Sequence, residues 1–116
     1  MSHQRTLVLV KPDGVQRGLI GKIIERFEQK GLKIVGLKMI AADDALLMEH
    51  YSHLVDKPFF VNIKEFMKSS PIVALVLEGL DAVPAVRLLC GITKAREADA
   101  GTIRGDFAMG MQANIV

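Results

Sequence analysis

Thr6-Leu7-Val8-Leu9-Val10 is an unbroken β-rich run that stops at a charge, Lys11, and then at Pro12-Asp13-Gly14. The run predicts a strand. The three residues after Lys11 predict a turn, because proline presets φ, aspartate bonds locally and glycine accepts positive φ. Beyond it Leu19, Ile20, Ile23, Ile24 and Phe27 recur at helical spacing, with Lys22, Glu25 and Arg26 between them, so an amphipathic helix is expected. Gly18 and Gly21 weaken that helix and point to close backbone packing. Gly31 fits the position just past its end.

Leu32 to Ile40 reads as a second strand. Lys33 and Lys38 fall in opposite phases of it, which calls for an exposed end or a bulge. Asp43 or Asp44 suits the cap of a helix carrying Leu46, Leu47, His50, Tyr51 and Leu54 on one side. Lys57-Pro58 breaks that pattern, Phe59 to Lys68 predicts a short helix, and Ser69-Ser70-Pro71 a turn. Ile72 to Leu77 is continuously apolar and therefore a central strand. Asp81 is placed to cap a helix with Pro84 in its first turn, where proline is tolerated, running through Val86 and Leu89 to Gly91. From Ile92 to Gly101 no period is visible, and a loop is expected. A fourth strand is expected near residues 114–116. Strands alternating with helices in this order predict a layered α/β or α+β sandwich.

Bulk composition narrows the function classes. The 116 residues, 12.7 kDa, suit a single domain over 1–116 with a real core. Half the residues are apolar, which argues against disorder. The net charge is only +2 although the pI is 8.8. No whole-molecule basic field calls for a specific nucleic-acid partner. Cys90 is the only cysteine, so no internal disulfide and no zinc-type Cys/His spacing is available. The apolar runs are too short for a bilayer or a signal peptide. A cytoplasmic protein without a membrane partner is expected.

Three cations stand out. Lys11 follows a buried strand directly, so its ammonium should emerge at a sheet end. Arg87 sits late in a helix, and Arg104 lies in Gly101-Thr102-Ile103-Arg104-Gly105-Asp106-Phe107. Cations with glycine-rich loops suit an oligophosphate, whose oxygens they neutralise and orient. Solvated surface charge is the plainer reading for any one of them alone. Arg104 departs most from it, since an arginine between glycines has little packing reason to be there. His50, on the apolar side of its helix, reads as a satisfied structural histidine, His53 as exposed, and His3 as part of a mobile terminus. Tyr51 reads as core with its hydroxyl free for a partner. Phe59 and Phe60 read either as core or as a stacking face at a cleft mouth. Arg104-Gly105-Asp106 matches the cell-adhesion tripeptide, a match that three residues reach by chance. Gly18-Leu19-Ile20-Gly21-Lys22 matches a P-loop end only superficially, with its first glycine misplaced and no Ser or Thr after the lysine.

Taken together these motifs are more specific than any one. Residues 6–18, Thr-Leu-Val-Leu-Val-Lys-Pro-Asp-Gly-Val-Gln-Arg-Gly, resemble the opening of nucleoside diphosphate kinases. So do His50-Tyr51, Lys57-Pro58-Phe59-Phe60, Leu77-Glu78-Gly79 and Gly101 to Phe107, in the family's order and at its spacing. The resemblance implies an α+β, ferredoxin-like fold with an antiparallel sheet, four-stranded in the family and with its last strand truncated here. It implies transfer of the γ-phosphate of nucleoside triphosphates to nucleoside diphosphates, by a ping-pong route through a phosphohistidine and with Mg²⁺ held through the phosphates rather than by the protein. Lys11 would contact phosphate and the ribose 3′-OH, Tyr51 would lie beside the nucleophile, and Phe59 would stack on the base. Arg87, Thr93 and Arg104 would hold the phosphates, and Asn114 would bond the ribose hydroxyl. Homo-oligomers, hexameric or tetrameric, are implied as well. In the family the nucleophilic histidine follows Asn-Ile-Val directly. It is therefore expected immediately after Val116, in a domain C-terminally incomplete as given, and the 116 residues alone are expected to form no phosphoenzyme. The alternative is a catalytically silent nucleotide-binding or assembly module. This chain differs from the family in having Ala95 and Ala100 where prolines are usual, His53 where a carboxylate is preferred, and Lys57 for a common arginine.

Overall fold

The computed structural model describes residues 2–116. Strand β1 (His3–Val10) leads into the short helix α1 (Pro12–Gln16) and then α2 (Ile20–Lys30). Strand β2 (Lys33–Ile40), helix α3 (Asp44–His50), a single 3₁₀ turn (Ser52–Leu54) and α4 (Phe60–Lys68) follow. The chain continues through β3 (Ile72–Leu80), α5 (Ala82–Cys90), a second 3₁₀ turn (Ala95–Glu97) and α6 (Ile103–Phe107). The three strands form one antiparallel sheet in the order β1-β3-β2. The apolar run at 72–77 is the central strand, as its composition demands.

The two faces of the sheet follow from strand alternation. Val8 and Val10 of β1 and Val73, Leu75 and Leu77 of β3 share one face. Onto it pack α2, through the fully buried Ile23 and Phe27, and α5, through Ala82, Val86 and Cys90. Ile72 and Leu9 point to the opposite face, where Leu47 of α3 and Met67 of α4 make a smaller core with Ile40, Tyr51 and Ile63. Gly31 ends α2 at φ 102 with the expected left-handed cap, and Asp43 caps α3 by accepting from the N–H of Leu46 at 2.8 Å. The lysine phase conflict in β2 is resolved by a register shift between Ile34 and Gly36. It turns Lys33, opposite Glu78, and Lys38, opposite Ala74, to the same face.

Several local expectations are corrected. Residues 12–14 open a turn of helix with proline at its start rather than a free-standing turn. A Cβ at Gly18 or Gly21 would meet nothing within 4 Å, so close packing does not account for them; Gly18 is there for its φ of 69. Asp81 stands at the N-cap position of α5 but gives no cap bond. It adopts φ 50 and its carboxylate accepts from the Ser2 N–H at 3.0 Å, while Gln4 caps the helix through the Val83 N–H at 3.0 Å. The loop at 92–101 carries one 3₁₀ turn, Ala95–Glu97, and beyond it Thr102 starts α6 by accepting from the Gly105 N–H at 3.0 Å. Residues 114–116 form no strand. Among the described residues no helix is long and apolar enough to cross a membrane.

Candidate functional site

Lys11 stands where β1 hands over to α1, so the strand aims its side chain out of the sheet end. Its ammonium donates to Asn114 Oδ1 at 2.7 Å, and Asn114 Nδ2 donates to the carbonyl of Thr93 at 2.9 Å. Asn114 is wholly buried, and these two bonds satisfy its amide. Around it the backbone folds tightly. The Lys11 N–H donates to the Ile115 carbonyl at 2.9 Å, the Val116 N–H to the Asn114 carbonyl at 2.8 Å, and the Ile115 N–H to Asp13 Oδ2 at 3.1 Å. The bond across two residues makes a γ-turn centred on Ile115, whose φ is 63. That turn replaces the expected strand.

Arg104, on α6, donates to the carbonyls of Gly91, at 2.8 Å, and Val116. The flanking glycines therefore conceal a structural role, because the guanidinium ties two loops together. Its Nε is buried and has no hydrogen-bond partner among the described residues. Arg87, exposed on the last turn of α5, completes the cluster around the buried Cys90. Burial pulls the Lys11 pKa down to about 8, helped by Arg104 and opposed by Asp13 and Cys90. Burial likewise lowers that of Arg104, with Arg87 adding to the effect and Cys90 opposing it. Burial raises the Cys90 thiol although Arg104, Arg87 and Lys11 all favour its anion. Among the described residues none of the three cations takes part in an ion pair. The Asp13 carboxylate offsets part of this charge at Lys11, and like charges gathered in this way favour an anion beside them.

A cleft of about 730 Å³ opens beside the cluster, along the flank of β1 that no strand covers. Arg87, Thr93 and Arg104 stand on its wall with Cys90, and Thr6 to Leu9 form its floor. Lys11 and Asn114 lie outside that lining. Phe59, half-exposed at the start of α4, is not part of that lining either. Tyr51 packs in the smaller core, where burial raises its hydroxyl pKa, and no hydrogen bond joins it to the cluster. His50 is exposed rather than a satisfied core histidine. It stacks edge-on against Tyr51 at 4.7 Å and lines a separate apolar cleft of about 200 Å³. His53 is exposed, and His3 lies 3.5 Å from Glu78 at the far end of β1. Asp106 is held by Arg26 at 2.6 Å and by the Gly101 N–H at 2.9 Å, so the adhesion-like tripeptide is locked into the fold. Among the described residues no group of three or more His, Cys, Asp or Glu side chains could hold a metal ion. The donors assembled here fit a phosphate chain, not a bare cation. Two contributors were not legible in the sequence. Cys90 carries no local signal, and Asp13 reads as a turn former whose real partner lies a hundred positions on.

The sequence model of the nucleoside diphosphate kinase family matches residues 4–116. The chain belongs to the nucleoside diphosphate kinase family. It is 52% identical over 113 residues to the nucleoside diphosphate kinase of Parabacteroides distasonis, covering 97% of this chain and 74% of that one. Against the enzyme of that name from Staphylothermus marinus it is 54% identical over its whole length and covers 82% of the relative. A solved structure of a halophilic nucleoside diphosphate kinase from Halobacterium salinarum in complex with CDP superposes with a TM-score of 0.95 at 51% identity, covering 98% of this chain and 75% of that one. The fold is thus the α+β, ferredoxin-like arrangement of these kinases, with three of its strands formed by residues 3–80.

Proposed function

We propose that this chain builds the nucleotide-phosphate site of a nucleoside diphosphate kinase, which passes a γ-phosphate from nucleoside triphosphates to nucleoside diphosphates in two half-reactions through a phosphohistidine. The observation that carries the proposal is the gathering of Lys11, Arg87 and Arg104 around Cys90 without an ion pair among them. Phosphoryl transfer asks a protein mainly for position and positive charge. Arg87 and Arg104 would neutralise the non-bridging oxygens, Thr93 would add a hydroxyl, and Lys11 with Asn114 would hold the phosphate and ribose end. Mg²⁺, bound through the phosphates, would spread the charge of the chain. Phe59 would stack on the base and Tyr51 would flank the nucleophile. His3, His50 and His53 all lie outside the cationic cluster, so none of the three is placed to take the phosphoryl group. Within residues 1–116, the same histidine placement favours the second reading, a module that binds nucleotide without transferring phosphate. A homo-oligomer is in keeping with the exposed Val35, Leu37 and Met39 on the edge strand β2, and a cytoplasmic setting with the free, buried Cys90.

Incubation with γ-labelled nucleoside triphosphate tests the proposal on two polypeptides, this one and one extended by the residues that follow in its gene. An acid-labile, base-stable label is expected on the extended chain alone. Label on the 116 residues, or on neither while nucleotide fails to bind, would overturn it.

Replacing Phe59 with alanine should weaken binding of purine and pyrimidine diphosphates alike by roughly tenfold, since every base offers a π-face. Titration calorimetry with the four common diphosphates reads this; a loss confined to one base would contradict stacking.

Lys11 sets a pH dependence of two opposite signs. Its folded pKa of about 8 lies below its ordinary 10.5, so between those values the unfolded chain holds more protons than the folded one. The nucleotide-free protein therefore gains stability as pH rises through that window. Nucleotide affinity should fall over the same window, because the bound anion needs the ammonium. Melting curves with and without nucleoside diphosphate between pH 7 and about 10 should converge as pH rises.

A further inference from the structure

Ile115 is a β-branched residue at φ 63, a genuine outlier for its type. A γ-turn with a positive central φ is rare and strained, and such a conformation persists only where its surroundings over-determine it. Here the clamps are few and can be named. The Lys11 N–H holds the Ile115 carbonyl, Arg104 holds the Val116 carbonyl, and Asp13 Oδ2 holds the Ile115 N–H at 3.1 Å. The first is backbone, and the second belongs to a residue already given to the phosphates. Among the described residues, only Asp13 is a side chain in these clamps with no other partner: its second oxygen, Oδ1, is buried and makes no hydrogen bond to them.

That orphaned oxygen says what the carboxylate is for. A neutral acceptor would serve the Ile115 N–H at lower desolvation cost, so the negative charge itself has a use. It sits two residues from Lys11 and favours the ammonium, against Arg104, which disfavours it. Cys90 is the other group facing Lys11 that favours its charged form. Next to a nucleotide the same charge would repel phosphate, so Asp13 is not a ligand.

We infer that Asp13 is a positioning residue of the nucleotide-phosphate site, clamping the strained turn at Ile115 so that the Asn114 amide meets the Lys11 ammonium. The inference rests on the proposed nucleotide site. Its clamp can be read without nucleotide.

The test uses Asp13→Ala and Asp13→Asn in the full chain, with three readouts. Amide hydrogen exchange at Ile115 reports the clamp. Titration with a nucleoside diphosphate reports the site. The pH midpoint of that affinity reports the Lys11 charge. Asp13→Ala should speed Ile115 exchange and weaken affinity by about tenfold, the scale of one hydrogen bond to a charged group. Asp13→Asn keeps an acceptor for the Ile115 N–H and should restore most of the protection, yet both variants should lose affinity at lower pH than the parent. A purely structural aspartate would lower the melting temperature without moving that midpoint, and this result overturns the inference. So does a folded Asp13→Ala with parental Ile115 exchange. If Asp13→Ala fails to fold, Asp13→Asn decides alone, an unshifted midpoint being the adverse result. A parent that binds no nucleotide defeats the proposed function, and Ile115 exchange in the variants then still decides whether Asp13 holds the turn.

Discussion

Replacing Arg104 with alanine is expected to lower affinity for a nucleoside diphosphate by roughly a hundredfold and to cost about 2–4 kcal/mol of stability. The two effects have separate origins. The guanidinium donates to the Gly91 and Val116 carbonyls, and charge-assisted bonds of this kind contribute more than neutral ones. Removing them frees both the loop after α5 and the turn that carries Asn114. The affinity loss comes from the missing charge and from the Nε–H that has no partner among the described residues. Arg104→Lys separates the two. It keeps the charge but lacks the fork that spans two carbonyls at once, so it should retain more binding than stability. Arg87→Ala is the natural comparison, because Arg87 is exposed and makes no side-chain hydrogen bond among the described residues. It should weaken binding and leave the melting temperature alone. Calorimetric titration and thermal melts on the three variants check this. If Arg104→Ala melts lower but binds nucleotide as the parent does, the guanidinium is only a strut.

The same residue shows what the sequence discloses and what it hides. Between glycines Arg104 reads as a loop cation free for a ligand. The fold gives it a helix, because Thr102 lies three positions before an amide that needs capping, and it gives it two carbonyls from segments 13 and 12 positions away. The proposed ligand role is argued from chemistry, the structural one only from tertiary contacts. The frame of the molecule was far more legible. Ile72 to Leu77 is apolar at every position because β3 is central in the sheet, and the helix at 20–30 shows its buried Ile23 and Phe27 in its period. The conflict between Lys33 and Lys38 calls for an exposed end or a bulge, and the fold answers with a register shift between Ile34 and Gly36. These signals are local, and local periodicity survives in a one-dimensional string.

The end of the site was not legible for the opposite reason. Asn114-Ile115-Val116 has the composition of a strand. Its actual backbone is imposed by Lys11, Asp13 and Arg104, groups remote in sequence that outweigh the β preference of isoleucine and valine. His50 departs from its expected core place for a related reason. Its spacing put it on the apolar side of α3, yet α3 is short and half-covered, with Leu47 its only buried residue. A period predicts which side faces the core, not how much core there is to face. Three cations without an ion pair among the described residues favour an anion without naming it, and the nucleotide in the proposed reading comes from the kinase family.

Gly105→Ala is expected to be among the most damaging small substitutions in the molecule, at about 2–4 kcal/mol. A methyl group on Gly105 would overlap the carbonyl oxygen of Asp99 and come within 2.7 Å of Thr102 Oγ1. Neither neighbour is free to retreat. The Asp99 carbonyl accepts the Thr102 hydroxyl at 2.6 Å and the Thr102 N–H at 3.1 Å, and Thr102 in turn caps the Gly105 N–H at 3.0 Å. The methyl can therefore be admitted only by opening the cap and shifting α6, and α6 carries Arg104. Stability and nucleotide affinity should fall together, unlike the separable effects at Arg87. Gly21→Ala supplies the contrast inside the same chain. It sits in α2, where an added Cβ meets nothing within 4 Å, so the gain in helix propensity should raise stability by about 0.5–1 kcal/mol. One chemical change at two glycines should thus have opposite signs, decided by whether the space beside the Cα holds solvent or a bonded carbonyl. Chemical denaturation of both variants measures this, and a Gly105→Ala protein as stable as its parent would mean that the cap and the Arg104 turn are not mechanically joined.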